Sequence, residues 1–380
     1  MPHPLYYHGM DSRFLVCATR TMRDYARSVT DILSRFPSLS NFAQNFDGVD
    51  ALSLIRFADG EMEVELSRSI RGKTIYLFSS SARNAEGISG DEAKLELYHA
   101  VDALKRAQAK KIVVFEPYTS CSRSDRTTRR NSVGLWVHFK TLVSLGCSHI
   151  MTFQLHSDKS RTMLDPLSCA IDDIPAMPLL KQHLCDVHIQ SLDVLRTEVR
   201  KNWAFCSVDA GGEKLARKCA NAFGTALVIA HKQRDYTRAN VVESVNILSA
   251  ESLEGKVLWV VDDMVDTAGS VDTLVRALVD HRPREINLAV VHPVFSPPAR
   301  ERLTRLKAEG LLSRIVTSDT ICCRSFTEGD APLAIESVTS RERAARIIYG
   351  MVSGRSLSPY FKNFDAEAYL SRGTLFSSGD

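Results

Sequence analysis

Short apolar runs rich in β-branched residues alternate along this chain with segments of helical period. The runs fall at Leu52–Phe57, Thr74–Ser79, Lys111–Phe115, His149–Phe153, Trp203–Val208, Ala226–Ala230, Val257–Val261, Ile286–Val291 and Arg314–Thr317. Between them Asp91–Ala107, Val133–Leu145, Glu213–Phe223 and Val271–Asp280 read as amphipathic helices, with Leu95, Tyr98, Val101, Ala103 and Leu104 near one face of the first. Strands that are apolar on both sides must be buried on both faces, and the alternating helices supply the cover. The pattern predicts an α/β protein with parallel sheets between helices. At 380 residues the chain has room for two or three domains. Asp165-Pro166, Ile174-Pro175 and Met177-Pro178 interrupt the pattern, and prolines so close together discourage a long helix. This places a first domain over 1–174, a second over 175–345, and a C-terminal segment over 346–380 that packs in part on the first.

Composition narrows the function classes. Lys plus Arg is 48 and Asp plus Glu is 45, so the net charge is only +3. That balance argues against a surface built for nucleic acid or for an acidic membrane, though not against a local basic pocket. No run approaches the roughly 18–20 apolar residues that a membrane helix needs, and the first twenty residues lack the pattern of a secretory leader. The 9 cysteines are odd in number and include no CxxC pair, which reads as reduced thiols in a cytoplasmic protein.

Five segments carry chemistry. VLWVVDDMVDTAGSVDTLVRAL, 257–278, is a strand ending in Asp262-Asp263, a short loop Met264–Gly269, and a helix starting near Gly269-Ser270. Small loop residues let backbone N–H groups approach a ligand, and the helix start adds more donors at the positive dipole end: a cradle for a phosphate monoester. Two acids at the strand end suit the vicinal hydroxyls of a sugar. In AFCSVDAGGEKLARKCANAF, Asp209 ends a strand, where ligands bind in open α/β sheets; it reads as a magnesium or ribose contact or as a helix cap. HKQRDYTR puts Lys232, Arg234 and Arg238 on a basic loop, cations of the kind phosphoryl transfer needs, or simply a solvated surface. FEPYTSCSRSDRTTRRNS, with Arg123, Arg126, Arg129 and Arg130, reads as an exposed loop able to fold over a polyphosphate; it lacks the interleaved aromatics of a single-strand binder. In FQLHSDKS, His156 follows a strand as a metal ligand or a structural histidine.

In order, these segments resemble the ribose-phosphate pyrophosphokinase family, the phosphoribosyl pyrophosphate (PRPP) synthases, from about Leu52 to Phe361. RFADGEMEVELSRSIRGKTIYLFSS, VDAGGEKLAR, HKQR, VDDMVDTAGS, AVVHPVFSPPA and SLSPYF carry the likeness. The resemblance implies two phosphoribosyltransferase-type domains, each a mostly parallel sheet flanked by helices. It implies an ATP site of Phe57, Asp59, Gly60 and Glu61 from a neighbouring subunit, with Arg123 and the adjacent Ser124 toward the phosphates. Lys232 and Arg234, with Arg123, would act in catalysis. Asp262, Asp263, Asp266, Thr267, Ala268, Gly269 and Ser270 would bind ribose 5-phosphate, and His156 and Asp209 would hold Mg2+.

The implied reaction moves the β,γ-diphosphoryl group of Mg-ATP to the 1-hydroxyl of ribose 5-phosphate, giving AMP and PRPP, in a homo-oligomer (a dimer, or a hexamer built of dimers) without nucleic-acid or membrane partners. This chain departs from the family pattern at Gln154, where Asp is usual, at Ser124, where Gln is usual, and at Thr127 and Ser270. A non-catalytic regulatory homologue and a PRPP-consuming phosphoribosyltransferase remain open alternatives on the sequence.

Overall fold

The computed structural model describes residues 13–84, 87–127, 129–234, 242–322, 326 and 333–372; the side chains at 40–43, 232–234 and 242–244 lie outside the description. The chain divides into two compact units. One runs to Pro175 and takes in Thr320–Cys322 and Ser340–Phe361; the other runs from Ala176 to Asp319 and takes in the stretch ending at Thr339 and the residues from Lys362.

The first unit opens with β1 (Phe14–Ala18) and then β2 (Leu52–Arg56) and β3 (Met62–Leu66), followed by β4 (Thr74–Phe78), β5 (Lys111–Glu116), β6 (His149–Phe153) and β7 (Ala170–Ile174). Strands β1-β4-β5-β6-β7 form a five-stranded sheet in which every pairing is parallel. Strands β1, β4 and β6 are buried at every residue, as expected of a sheet covered on both faces. Leu15, Ile75, Leu77, Leu97, Val101, Val114, Phe139 and Ile150 pack in one core.

The run at Leu52–Phe57 departs from expectation. It joins no parallel sheet but pairs antiparallel with β3 as a separate two-stranded ribbon, Arg56 opposite Met62. The alternating residues of β3, Met62 and Val64 buried and Glu63 and Glu65 exposed, allow only one face to be covered.

The helix Gly90–Arg106 starts where the Ser89 side chain accepts from the Glu92 amide, with Asp91 and Glu92 in its first turn and Lys105 and Arg106 in its last. Its buried face is Ala93, Glu96, Leu97, Ala100, Val101 and Leu104, and Leu95, expected inside, is 45% exposed.

The second unit contains β8 (Trp203–Ser207), β9 (Ala226–Arg234), β10 (Val242–Ser249), β11 (Val257–Val265), β12 (Glu285–Pro293), β13 (Arg314–Ser318) and β14 (Glu336–Val338). Their order is β10-β9-β8-β11-β12-β13-β14, parallel except for the antiparallel β9–β10 pair. Leu258, Val260, Leu274, Val275, Leu288, Val290, Leu303 and Ile315 form its core.

Pro178 does not prevent a helix. It occupies the first turn of Met177–His183, where a missing N–H costs nothing, and the helix runs on as a π segment to Ile189 before Gln190, left-handed at φ 65°, breaks it. The eight described cysteines are free; Cys323 lies outside the described residues. Among those residues no helix is long and apolar enough to cross a membrane.

Candidate functional site

In the second unit the site is built at the carboxyl ends of two adjacent strands. Val261 of β11 pairs with Ser207 of β8, so the residues that follow these positions emerge side by side. Asp209 comes off β8 and Asp262-Asp263 lie in the second half of β11. The Asp263 amide donates to Asp262 Oδ1 at 2.9 Å. Burial pushes the Asp262 carboxyl well above the usual carboxylate range, and the negative charges of Asp263 and Asp209 push it the same way. These three acids are therefore one electrostatic cluster. Asp209 also turns its own loop: the Gly212 amide donates to Asp209 Oδ1 at 3.1 Å, just before the helix Glu213–Phe223.

The loop after β11 is shorter than expected. Met264 and Val265 belong to the strand, pairing with His292 and Pro293 of β12, which leaves Asp266, Thr267 and Ala268 before the helix Gly269–Val279. Ala268 is buried in the left-handed region at φ 57°. That turn reverses the chain within three residues and presents the helix start, whose first N–H groups have no intrahelical acceptor, beside the acids. Arg302, opening turn of the helix Ala299–Ala308, donates from Nη1 to the Thr267 carbonyl at 2.8 Å. A Cβ placed on Gly269 would come within 3.1 Å of that same Nη1. Arg302 was not singled out by sequence reasoning, because its contact is long-range and nothing local marks it.

Lys232 and Arg234 are corrected in placement. They lie on β9, which runs through Arg234 because β10 pairs with it, Val245 opposite Lys232 and Val242 opposite Arg234. Arg238 lies outside the described residues.

In the first unit Phe57, Asp59, Gly60 and Glu61 form the tip of the β2–β3 hairpin. The Phe57 amide donates to the Glu61 carbonyl at 2.9 Å and the Gly60 amide to the Phe57 carbonyl at 3.0 Å. Gly60 has φ 94°, a conformation that disfavours any side chain. Asp59 Oδ1 accepts from the Glu61 amide at 3.1 Å, and Arg56 reaches both the Gly60 carbonyl, at 2.9 Å, and Glu92. Phe57 is not core: its ring is 47% exposed.

Arg123 and Ser124 lie on the loop between β5 and the helix Gly134–Leu145. This loop is exposed only in its later part: Pro117 to Thr119 are buried, and Thr119 donates to Thr152 Oγ1 of β6 at 2.9 Å. Arg123 is exposed, while Ser124 Oγ accepts from the Gly134 amide at 2.9 Å, closing the loop onto the helix start. His156 is exposed just beyond β6. Its loop is held by Asp173 of β7, whose Oδ1 accepts from the Leu155 amide at 2.8 Å, and Gln154 is left-handed at φ 48°. Asp173 was missed because its partner is a backbone amide in the loop after the neighbouring strand.

A parallel α/β sheet with paired acids on one strand and a three-residue turn into a helix defines a protein of phosphoribosyltransferase type. The chain matches the N-terminal domain of ribose phosphate pyrophosphokinase over residues 16–146 and the phosphoribosyl transferase domain over residues 189–321. A ribose-phosphate pyrophosphokinase of Chlorobaculum tepidum is 30% identical over 80% of this chain and 85% of its own length. That of Halalkalibacterium halodurans is 32% identical over 68% and 75%, and ribose-phosphate pyrophosphokinase 2 of Enterococcus faecalis 28% identical over 93% and 98%. The chain belongs to the ribose-phosphate pyrophosphokinase family, a family of enzymes. Phosphoribosylpyrophosphate synthetase from Mycobacterium smegmatis shares its fold, with a TM-score of 0.72 at 23% identity over 90% of this chain and 99% of that one. The expected α/β architecture agrees with it.

Proposed function

We propose that this chain transfers the β,γ-diphosphoryl group of ATP to the 1-hydroxyl of ribose 5-phosphate. The hydroxyl oxygen bonds to the β-phosphorus, the bond from that phosphorus to the α,β-bridging oxygen breaks, AMP leaves with the bridging oxygen, and the hydroxyl proton is released. The observation that carries this reading is the acid cluster of Asp209, Asp262 and Asp263 beside the turn 266–268, at the ends of adjacent parallel strands. Asp262 and Asp263 would take the ribose hydroxyls. Asp266, Thr267 and Ala268, with the amides of Gly269 and Ser270, would hold the 5-phosphate, and Arg302 braces the Thr267 carbonyl. Lys232 and Arg234 would neutralise charge that develops on the transferring group, where most of the acceleration of phosphoryl transfer arises, and the family resemblance implies the same role for Arg123.

The donor set fits magnesium. Asp209, Asp262 and Asp263 offer oxygen donors only, the kind magnesium favours, and their repulsion, which adds to burial in raising Asp262, is what a divalent cation relieves. Asp209 would hold it, with His156 as the family resemblance implies, and bound magnesium would supply neutralisation of the polyphosphate charge. Phe57, Asp59, Gly60 and Glu61, with Ser124 nearer the phosphates, would bind ATP; the exposed Phe57 ring offers an aromatic face for adenine. The resemblance points to a homo-oligomer in which this tip completes the ATP site of another subunit, and the free thiols are in keeping with a cytoplasmic protein.

The test is direct. Purified protein with ATP, magnesium and ribose 5-phosphate should form AMP and PRPP in equal amounts. AMP formation absent under these conditions, in protein that binds ribose 5-phosphate, would overturn the reading.

A further inference from the structure

Away from these loops, the far edge of the second unit's sheet carries a cluster that the reaction does not use. His183 ends the helix Met177–His183, His188 lies in the π turn Leu184–Ile189, and Glu336 opens β14, the edge strand beyond β13. Both imidazole Nε2 atoms lie 2.8 Å from the same oxygen, Glu336 Oε2. The three donor atoms are within 4.8 Å of one another, close enough to share one metal ion.

The π turn is what assembles it. In an α-helix of 3.6 residues per turn, a residue five positions on points about 140° away. A π turn closes hydrogen bonds over five residues, here from the Gln190 amide to the Cys185 carbonyl at 2.7 Å, and so returns His188 to the side of His183. The second observation is convergence. The carboxylate has two oxygens, yet both rings aim at one of them, while Glu336 Oε1 faces Arg314 Nε at 3.9 Å. An ion pair alone does not require that shared focus. The Trp259 ring lies against His188, with centroids 5.7 Å apart, and limits its rotation.

We propose that His183, His188 and Glu336 bind a transition-metal ion of the zinc class, with water in the remaining position. Two imidazole nitrogens and one carboxylate oxygen form a ligand set that suits zinc and not magnesium, which favours oxygen donors throughout. Around a tetrahedral zinc with bonds of 2.0–2.1 Å, donor atoms stand roughly 3.3 Å apart. The observed 2.8 Å contacts need to open by only about 0.5 Å to admit the ion. On binding, each ring carries its proton on Nδ1 and the Nε2–H···O bonds give way to Nε2–metal bonds. The side chains are 12–32% exposed, so water can reach the fourth position. The ion would tie the three-residue edge strand β14 to the helical segment behind it.

The test titrates zinc into the untagged, chelator-stripped full chain, with magnesium in large excess to fill oxygen-only sites. We expect one zinc per chain at this site, with a rise in melting temperature that depends on zinc concentration. His183→Ala and His188→Ala should each weaken it by more than the roughly 10–100-fold that loss of an outer partner costs. Glu336→Gln, which keeps the shape, should weaken it less but measurably. If the alanine variants fail to fold, X-ray absorption on the zinc-loaded wild type should show two imidazole nitrogens and no sulfur. No zinc binding in magnesium excess, unchanged affinity in the variants, or a sulfur-ligated zinc would each overturn the proposal.

Discussion

The turn after β11 in the second unit and the hairpin tip of the first are both short turns bearing acids, yet they are built in opposite ways. The turn 266–268 is locked between β11 and the helix Gly269–Val279, with Ala268 buried and Arg302 clamping the Thr267 carbonyl. The hairpin tip 57–61 stands on a ribbon outside the parallel sheet and is exposed throughout. Its own hydrogen bonds shape it, and it presents Phe57 outward. The first is a turn fixed by its unit. The second has the form of a group supplied to a ligand or to another copy of the chain.

The largest effect should come from the second unit. If Lys232 meets charge only in the transition state, Lys232→Ala should lower kcat by about 100–1000-fold with a small change in KM. Turnover near that of the wild type would remove it from the mechanism. Mixing should sharpen the contrast. A Phe57→Ala/Glu61→Ala double variant and Lys232→Ala, each nearly inactive, should regain activity when co-refolded into verified mixed oligomers. No recovery would mean that tip and lysine act within one chain.

Next in size is Gly269→Val. Its branched side chain would start 3.1 Å from Arg302 Nη1 and crowd the helix start. Calorimetry should show ribose 5-phosphate binding weakened by tenfold or more, roughly 1.4 kcal/mol, with ATP binding nearly intact. Equal loss of both ligands would break the distinction between the two turns.

Phe57→Ala should do the reverse, raising KM for ATP severalfold while leaving stability within about 0.5 kcal/mol, because the ring is 47% exposed. Phe115→Ala, at a fully buried ring of the same unit, should cost about 3–5 kcal/mol in denaturant unfolding. A large loss at Phe57 would return it to the core. The smallest effect is expected at Gln154. Its left-handed φ of 48° is one Asp tolerates, so Gln154→Asp should leave the fold alone and lower the magnesium concentration for half-activity. Reduced activity with no change in magnesium response would mean that this loop does not face the metal.

Much of this was legible in the chain. Runs such as His149–Phe153 and Glu213–Phe223 match the observed elements end to end, because their burial and their stops are local: a continuous apolar strand, and a helix closed by Gly224 in the left-handed region. The string VDDMVDTAGS marked a short turn between a strand bearing paired acids and a helix start, since its small residues give the backbone room to turn.

Other features needed the tertiary structure. Leu52–Phe57 has the residue types of a sheet strand, but only its antiparallel pairing with β3 puts it on a ribbon. Lys232 and Arg234 read as loop until β10 extends the strand beneath them. Arg302, Asp173 and the meeting of His183 and His188 with Glu336 left no trace in the sequence. The reason is physical. Periodicity and turn chemistry act over a few residues and are written locally. A carbonyl held 35 residues away, or a carboxylate shared 148 residues away, exists only once the sheet has set its strand order.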